Sequence, residues 1–301
     1  MSRAEDFFTF ARARHQIYLD RAAGKPYPWV EDGILDTYRF TNVFRELDRT
    51  TIWFRENVRE QLCSHEFSRA QQMLGVILFR TLNRIASGEV LFCQGQLPLS
   101  GSNDPIGWAY IQGNASIRDV EGVLRQAIPR GPWVTGAYIV KTPDDMDKLS
   151  GALWIVEEAR KRLSRTVTEL GPAPTLQAVH RALQAYPYIG GFTGYEIVTD
   201  LRHMPIMGAQ PYGPSDVMSW AHAGPGAVRG LNRIHGRDYK KSLTQSQALA
   251  EMRDLLAMSK TGVWHANWPA WEMREVEHTL CEFDKYERVR LGEGRPRGKF
   301  R

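Results

Sequence analysis

Apolar residues recur along most of the chain at the three- and four-residue spacing of a helix with one buried face. Phe7, Phe8, Phe10, Ala11, Ile17 and Tyr18 form such a stripe, ended near Gly24-Lys25-Pro26. Asp36 to about Glu60 predicts a second helical unit. Phe67 to about Ser87 predicts a strongly apolar helix through Met73, Leu74, Val76, Ile77, Leu78, Phe79, Leu82 and Ile85, stopped by Ser87-Gly88. Residues 94–108, rich in Gly, Pro, Ser and Asn, read as a loop. Ser116 caps a helix through Gln126. Trp133–Lys141 is β-like, either a small strand or an extended connector. Helices follow at Asp144–Leu163, Thr175–Ala185, Gly190–Arg202, Thr244–Ser259 and Glu272 to about Arg288. With no internal repeat and no long linker, the pattern predicts one all-α domain over residues 1–287, with at most a small β element. Residues 288–301 carry six basic side chains among Gly and Pro, which predicts a flexible tail, either solvated or laid along a phosphate backbone.

Composition narrows the class. Of 301 residues 43% are hydrophobic, enough for a real core, and the net charge of +5 suits a polyanionic partner without requiring one. No apolar run approaches the roughly 20 residues of a membrane span. Three widely spaced cysteines, Cys63, Cys93 and Cys281, argue against a disulfide framework. With no h-region at the N-terminus, the expectation is a cytoplasmic protein away from membranes. The sequence holds no Gly-x-x-x-x-Gly-Lys-Ser/Thr phosphate loop, no dinucleotide fingerprint and no paired metal-ligand motif, so neither cofactor nor metal is expected.

Four segments concentrate polar chemistry. Trp220–Gly236 reads as a helix, a hairpin on Gly224-Pro225-Gly226 and a second helix from near Ala227. Its glycines would allow positive φ and close approach. Arg229 and Arg233 share a helix face and would grip a phosphate, unless the segment is an ordinary packing unit. Arg39, Asn42, Arg45 and Arg49 recur at helical spacing, as a phosphate clamp or as an ion-pair ladder with Glu46 and Asp48. Ile189–Leu201 opens with glycines and sets Glu196 and Asp200 four apart, as a carboxylate pair in a pocket or as helix packing. Glu277, Cys281 and Asp284 share one face of the C-terminal helix, and His278, Glu282 and Lys285 a neighbouring one, as an acid–base site or a salt-bridged surface. Trp264, Trp268 and Trp271 either stack on an extruded base or pack in the core.

In this order, Tyr38–Arg49, Phe79–Asn83, Ile189–Leu201, Ala223–Gly230 and Glu277–Tyr286 resemble a phage and bacterial family of DNA base hypermodification proteins. These are the alpha-glutamyl/putrescinyl thymine pyrophosphorylases, or amino acid:DNA transferases. They are related to the helical domain found with 5-hydroxymethyluracil DNA kinases, and in fold to helix–hairpin–helix DNA glycosylases. The resemblance implies duplex DNA held at Gly224, Gly226, Arg229 and Arg233, and a base rotated into a pocket. There an amine such as glycine, glutamate or putrescine would displace pyrophosphate from a pyrophosphorylated 5-hydroxymethyl-deoxyuridine made by a partner kinase. For that reaction the polar clusters put forward Arg39, Arg45 and Lys285 at the leaving group, Glu277, Asp200 and Glu282 as bases or amine holders, and Asn42 at the uracil edge. Glu196, Cys281 and Asp284 would complete the substrate site. Beyond the hairpin, Lys240–Ser246 lacks the carboxylate that a glycosylase needs, which argues against base excision. The competing readings are a glycosylase-like enzyme and a non-catalytic DNA-binding module beside the kinase.

Overall fold

The computed structural model describes residues 3–64, 66–94, 104–137, 139–208, 213–296 and 298–300. In chain order the helices are α1 (Arg3–Ala22), α2 (Gly33–Thr37), α3 (Arg49–Phe54), α4 (Glu60–Leu62), α5 (Arg69–Leu82), α6 (Ile85–Gly88), α7 (Ile106–Gln112), α8 (Ile117–Ala127), α9 (Lys148–Leu170), α10 (Leu176–Leu183), α11 (Gly191–Leu201), α12 (Pro225–Ile234), α13 (Gln245–Met258) and α14 (Met273–Arg290). The all-α class read from the periodicity holds. No strand forms among the described residues; Tyr38 and Lys299 make an isolated antiparallel bridge. The chain divides into two compact units, Met1–Asp48 with Val217–Arg301, and Arg49–Asp216.

In the first unit α1, α12 and α13 pack on α14. The α1 stripe is buried at Phe7, Phe8, Phe10, Ala11 and Ile17. Phe7 and Phe8 lie against Trp271, and Phe10 against Phe283. The tryptophan-rich segment is therefore core. Trp264 and Trp271 are buried, and Trp264 and Trp268 both meet the ring of His15. In the second unit α5 is buried on all sides from Met73 to Leu82, as expected of a helix apolar around its whole circumference. It packs on α7, α9 and α11.

Local chemistry sets the helix ends. Ser68, Ser116 and Thr244 each close a capping box with the residue three positions on. Asp147 caps α9 by accepting from the Leu149 and Ser150 amides, so that helix starts at Lys148 rather than near Asp144 and runs on to Leu170. The apolar helix stops at Leu82, because Asn83 takes a left-handed conformation with φ of 46°. A helix, α7, begins within the stretch read as loop; residues 95–103 lie outside the described residues. Trp133–Lys141 forms no strand among its described residues, Tyr138 being outside them, and serves as an extended connector.

Two expectations are corrected here. The segment from Asp36 to Glu60 is not one helical unit: after α2 the chain is extended from Tyr38 to Phe44, makes a 3-10 turn at Arg45–Leu47, and enters α3 at Arg49. The reason is a period of two, with Tyr38 and Phe40 buried and Arg39 and Thr41 exposed. Nor does a helix precede Gly224. Residues 215–219 form turns, residues 220–224 are irregular, and α12 starts at Pro225 with Gly224 as its N-cap. The φ of Gly224 is −72°, and Gly226 is not among the glycines with positive φ.

Candidate functional site

Glycine at 226 and 230 serves close approach, but to α14. A Cβ on Gly226 would sit 2.3 Å from Cys281 Sγ, and one on Gly230 would sit 2.4 Å from the Leu280 carbonyl oxygen. The two helices thus meet almost backbone to backbone. That contact uses the groups expected to hold DNA. The Gly224 N–H donates to Glu277 Oε1 at 3.3 Å, so the carboxylate itself occupies the positive end of α12. Arg229 Nε and Arg233 Nε donate to the two oxygens of Asp284 at 2.7 and 2.8 Å. Arg233 also holds Glu293 at 2.6 Å. The Asp284 side chain is fully buried between these cations, and it anchors α12 rather than facing a ligand.

On a neighbouring face of α14 a polar cluster forms with residues 40–48. Glu282 Oε2 accepts the Thr41 N–H at 3.1 Å, and its other oxygen holds the Lys285 ammonium. Thr41 Oγ1 lies 2.8 Å from His278 Nε2. The same nitrogen is 4.0 Å from Asp48 Oδ2, while Asp48 Oδ1 accepts the Asn42 N–H at 2.9 Å. Arg14 on α1 fixes the segment from behind. It donates to the Phe40 carbonyl at 3.1 and 2.9 Å and to Asn42 Oδ1 at 2.7 Å. Asn42 Nδ2 in turn donates to the Leu47 carbonyl at 2.7 Å.

Burial sets the protonation states. It raises Asp48 to about 6, against the pull of Arg45, the Asn42 N–H and Arg14. It holds His278 well below the usual histidine value, helped by Arg45, Lys285 and Arg274, so the ring is neutral at neutral pH. Burial works against the Lys285 ammonium, but Glu282 beside it keeps it charged, above the ordinary lysine value. Cys281 is pushed up to about 12 by burial and by Glu282, so it is a packing thiol and not a nucleophile. The cluster therefore offers two cations, Arg45 and Lys285, a neutral imidazole and one carboxylate near its titration range.

The other expected site residues lie elsewhere. Arg39 is exposed on the extended segment, its N–H bonded to the Gly298 carbonyl at 3.0 Å and its guanidinium 5.9 Å from the Phe300 ring. The helical stripe expected to align it with Asn42 and Arg45 does not exist. Glu196 and Asp200 belong to the second unit and are buried. There Arg80 clamps both oxygens of Asp200, with Nη2 at 2.8 Å from Oδ1, and both side chains are 2% exposed. A helix, a tight turn and a second helix do occur in that unit, at α10 and α11. The turn between them carries Tyr188 with φ of 60°. The N-cap of α11, Gly190, brings no side chain to cap it, and Tyr188 and Phe192 are exposed beside its start.

Arg14, Thr41, Asp48 and His278 were not among the expected site residues. Arg14 carries a signal that sequence reading could have used: it interrupts the buried stripe of α1 and is itself 4% exposed. Asp48 entered only as a rung of an ion-pair ladder. His278 stood on the face of Glu282 and Lys285 without a role of its own.

Among the described residues no cluster of His, Cys, Asp or Glu could hold a metal ion, and no helix is long and apolar enough to cross a membrane. Residues 2–295 match the family described as the helical domain of 5-hmdU DNA kinase, and the chain belongs to that family. A curated relative, the 5-hmdU DNA kinase of Bacillus phage SP10, is 24% identical over 233 residues. The match covers 73% of this chain but 34% of the relative, so the chain spans about a third of that kinase's length. No solved structure matches the chain.

Proposed function

We propose that this protein acts in thymidine hypermodification of DNA, transferring an amine or amino acid onto pyrophosphorylated 5-hydroxymethyl-deoxyuridine and releasing pyrophosphate. Family membership supplies the context of the modified base. Residues 1–301 hold no phosphate loop, so within them the candidate for chemistry is transfer at the α14 cluster. The observation that carries the reading is the cluster on α14. Displacing pyrophosphate needs cations for the departing charge, and Arg45 and Lys285 stand there. It also needs a carboxylate to deprotonate the ammonium; Asp48 lies beside His278, and Glu282 holds the amide of Thr41, whose hydroxyl meets that histidine. For the DNA contact, the turn between α10 and α11 fits better than Gly224, because the amide of Gly224 and the guanidinium groups beyond it are already bonded to α14. The expected partners are modified duplex DNA, a small amine and a 5-hydroxymethyluracil DNA kinase.

The test is mass spectrometry of nucleosides from pyrophosphorylated 5-hydroxymethyluracil DNA incubated with the protein and a panel of amines. The expected product is a nucleoside heavier by the amine, with one pyrophosphate released per adduct. Release of free base would show the glycosylase-like alternative instead. DNA that is bound but chemically unchanged would show a non-catalytic module.

A further inference from the structure

We propose that Asp48 is the base that takes the proton from the incoming ammonium. This assignment rests on the transfer reaction proposed above. It differs from the carboxylates that sequence favours, Glu277, Glu282 and Asp200.

The bonding of each carboxylate separates them. Glu277 caps α12 through the Gly224 amide. Glu282 has one oxygen on the Thr41 amide and the other on Lys285. Asp200 has both oxygens on Arg80. Asp48 has one oxygen anchored and one open. Oδ1 accepts the Asn42 amide, and Oδ2 takes no hydrogen bond among the described residues, its nearest partner being His278 Nε2 at 4.0 Å. The side chain is 22% exposed, against 5% for Glu282 and 2% for Asp200, so it is the most accessible of these three. Its orientation is fixed from two sides, since Arg14 and the Leu47 carbonyl hold the Asn42 side chain on the residue that anchors Oδ1.

The charges that face Asp48 are Arg14 from α1, Arg45 from its own segment, and Glu282 and the neutral His278 from α14. Burial outweighs the two arginines, and the resulting value of about 6 leaves Asp48 ionised at neutral pH yet basic enough to accept a proton. In the step, an N–H proton of the substrate ammonium moves to Asp48 Oδ2. The freed lone pair forms the C–N bond at the 5-methylene. The C–O bond breaks with its electron pair going to the departing pyrophosphate, which leaves a secondary ammonium on the base.

The experiment compares wild type with Asp48→Asn in single-turnover transfer, using the amine that the panel identifies. DNA binding is measured in parallel, and folding by circular dichroism. At pH 7 the variant should be slower by about 100-fold or more with DNA binding retained. Above pH 7 its rate should climb about tenfold per unit as free amine accumulates in solution, closing the gap to wild type. A gap under about threefold at pH 7, or one that stays constant with pH, overturns the assignment, since a purely structural role lowers the rate equally at every pH. If Asp48→Asn does not fold, the wild-type profile decides. An acid limb centred near 6 supports Asp48, and a flat profile through that range overturns it. Wild type that transfers none of the amines fails at the proposed function itself, before any variant is compared.

Discussion

Gly230 lies so close to Leu280 that a methyl group in place of its hydrogen would sit 2.4 Å from the Leu280 carbonyl oxygen. Four residues earlier, Gly226 comes as close to α14, but to the Cys281 sulfur rather than to backbone. The spacing puts both glycines on one face of α12 and lets the Arg229 and Arg233 side chains reach Asp284.

Gly230→Ala should cost about 3 kcal/mol of stability, because the clash is with backbone and can be relieved only by parting the helices. Gly226→Ala should cost a similar amount alone, but less in a Cys281→Ala background, where the sulfur that it meets is gone. The Gly230→Ala cost should not change in that background. Denaturant unfolding of these five variants, Cys281→Ala alone included, gives the coupling.

Asp200→Asn should destabilise the fold by about 3 kcal/mol, because it leaves the Arg80 guanidinium buried beside a neutral amide. Replacing both partners with apolar residues of similar size should recover much of that loss. A wild-type melting temperature for Asp200→Asn would overturn the ion pair's structural role. Any loss of transfer activity in this variant should track the loss of folded protein.

His15 is buried among the rings of Phe44, Trp264 and Trp268, and its Nδ1 has no partner. Burial, with Arg14 beside it, lowers it to about 4 from 6.5. The unfolded chain therefore binds a proton that the folded one resists, and stability falls as pH drops through the interval from 6.5 to 4. That interval is worth about 3 kcal/mol. Asp48, raised to about 6, works in the opposite direction at the acid end, so the difference between variants is the quantity to measure. His15→Phe should unfold later than wild type at pH 4.5 and should flatten the acid side of the stability curve. Parallel wild-type and variant curves would refute the assignment.

If the turn between α10 and α11 grips DNA, Tyr188→Ala and Phe192→Ala should each weaken DNA binding by roughly tenfold, a typical loss for one aromatic contact. Arg229→Ala should leave both the affinity and its salt dependence unchanged, because its guanidinium is held by Asp284. Fluorescence anisotropy across a salt series checks both. A reduced salt slope for Arg229→Ala would return the contact to α12.

Much of the helical framework was legible because a helix is a local object. The buried stripe of α1, the cap at Ser116, the helix after Thr244 and the run before Arg290 each follow from residues within a turn or two of one another. The errors fell where local signals compete. Arg39, Asn42 and Arg45 sit at helical spacing, but Tyr38 and Phe40 need the same buried side, and burying the aromatic rings outweighs the regularity of exposed charges.

By itself the sequence determined an all-α chain, the placement of most helices and the segments rich in polar chemistry. Only the tertiary structure decided which of those polar groups are spent on one another. Asp284 is spent on Arg229 and Arg233, Asp200 on Arg80, and Glu277 on the amide of Gly224. A buried charge must find a partner, and that partner lies tens to hundreds of residues away along the chain, beyond what any local spacing encodes. The open oxygen of Asp48 emerges only after that pairing is known.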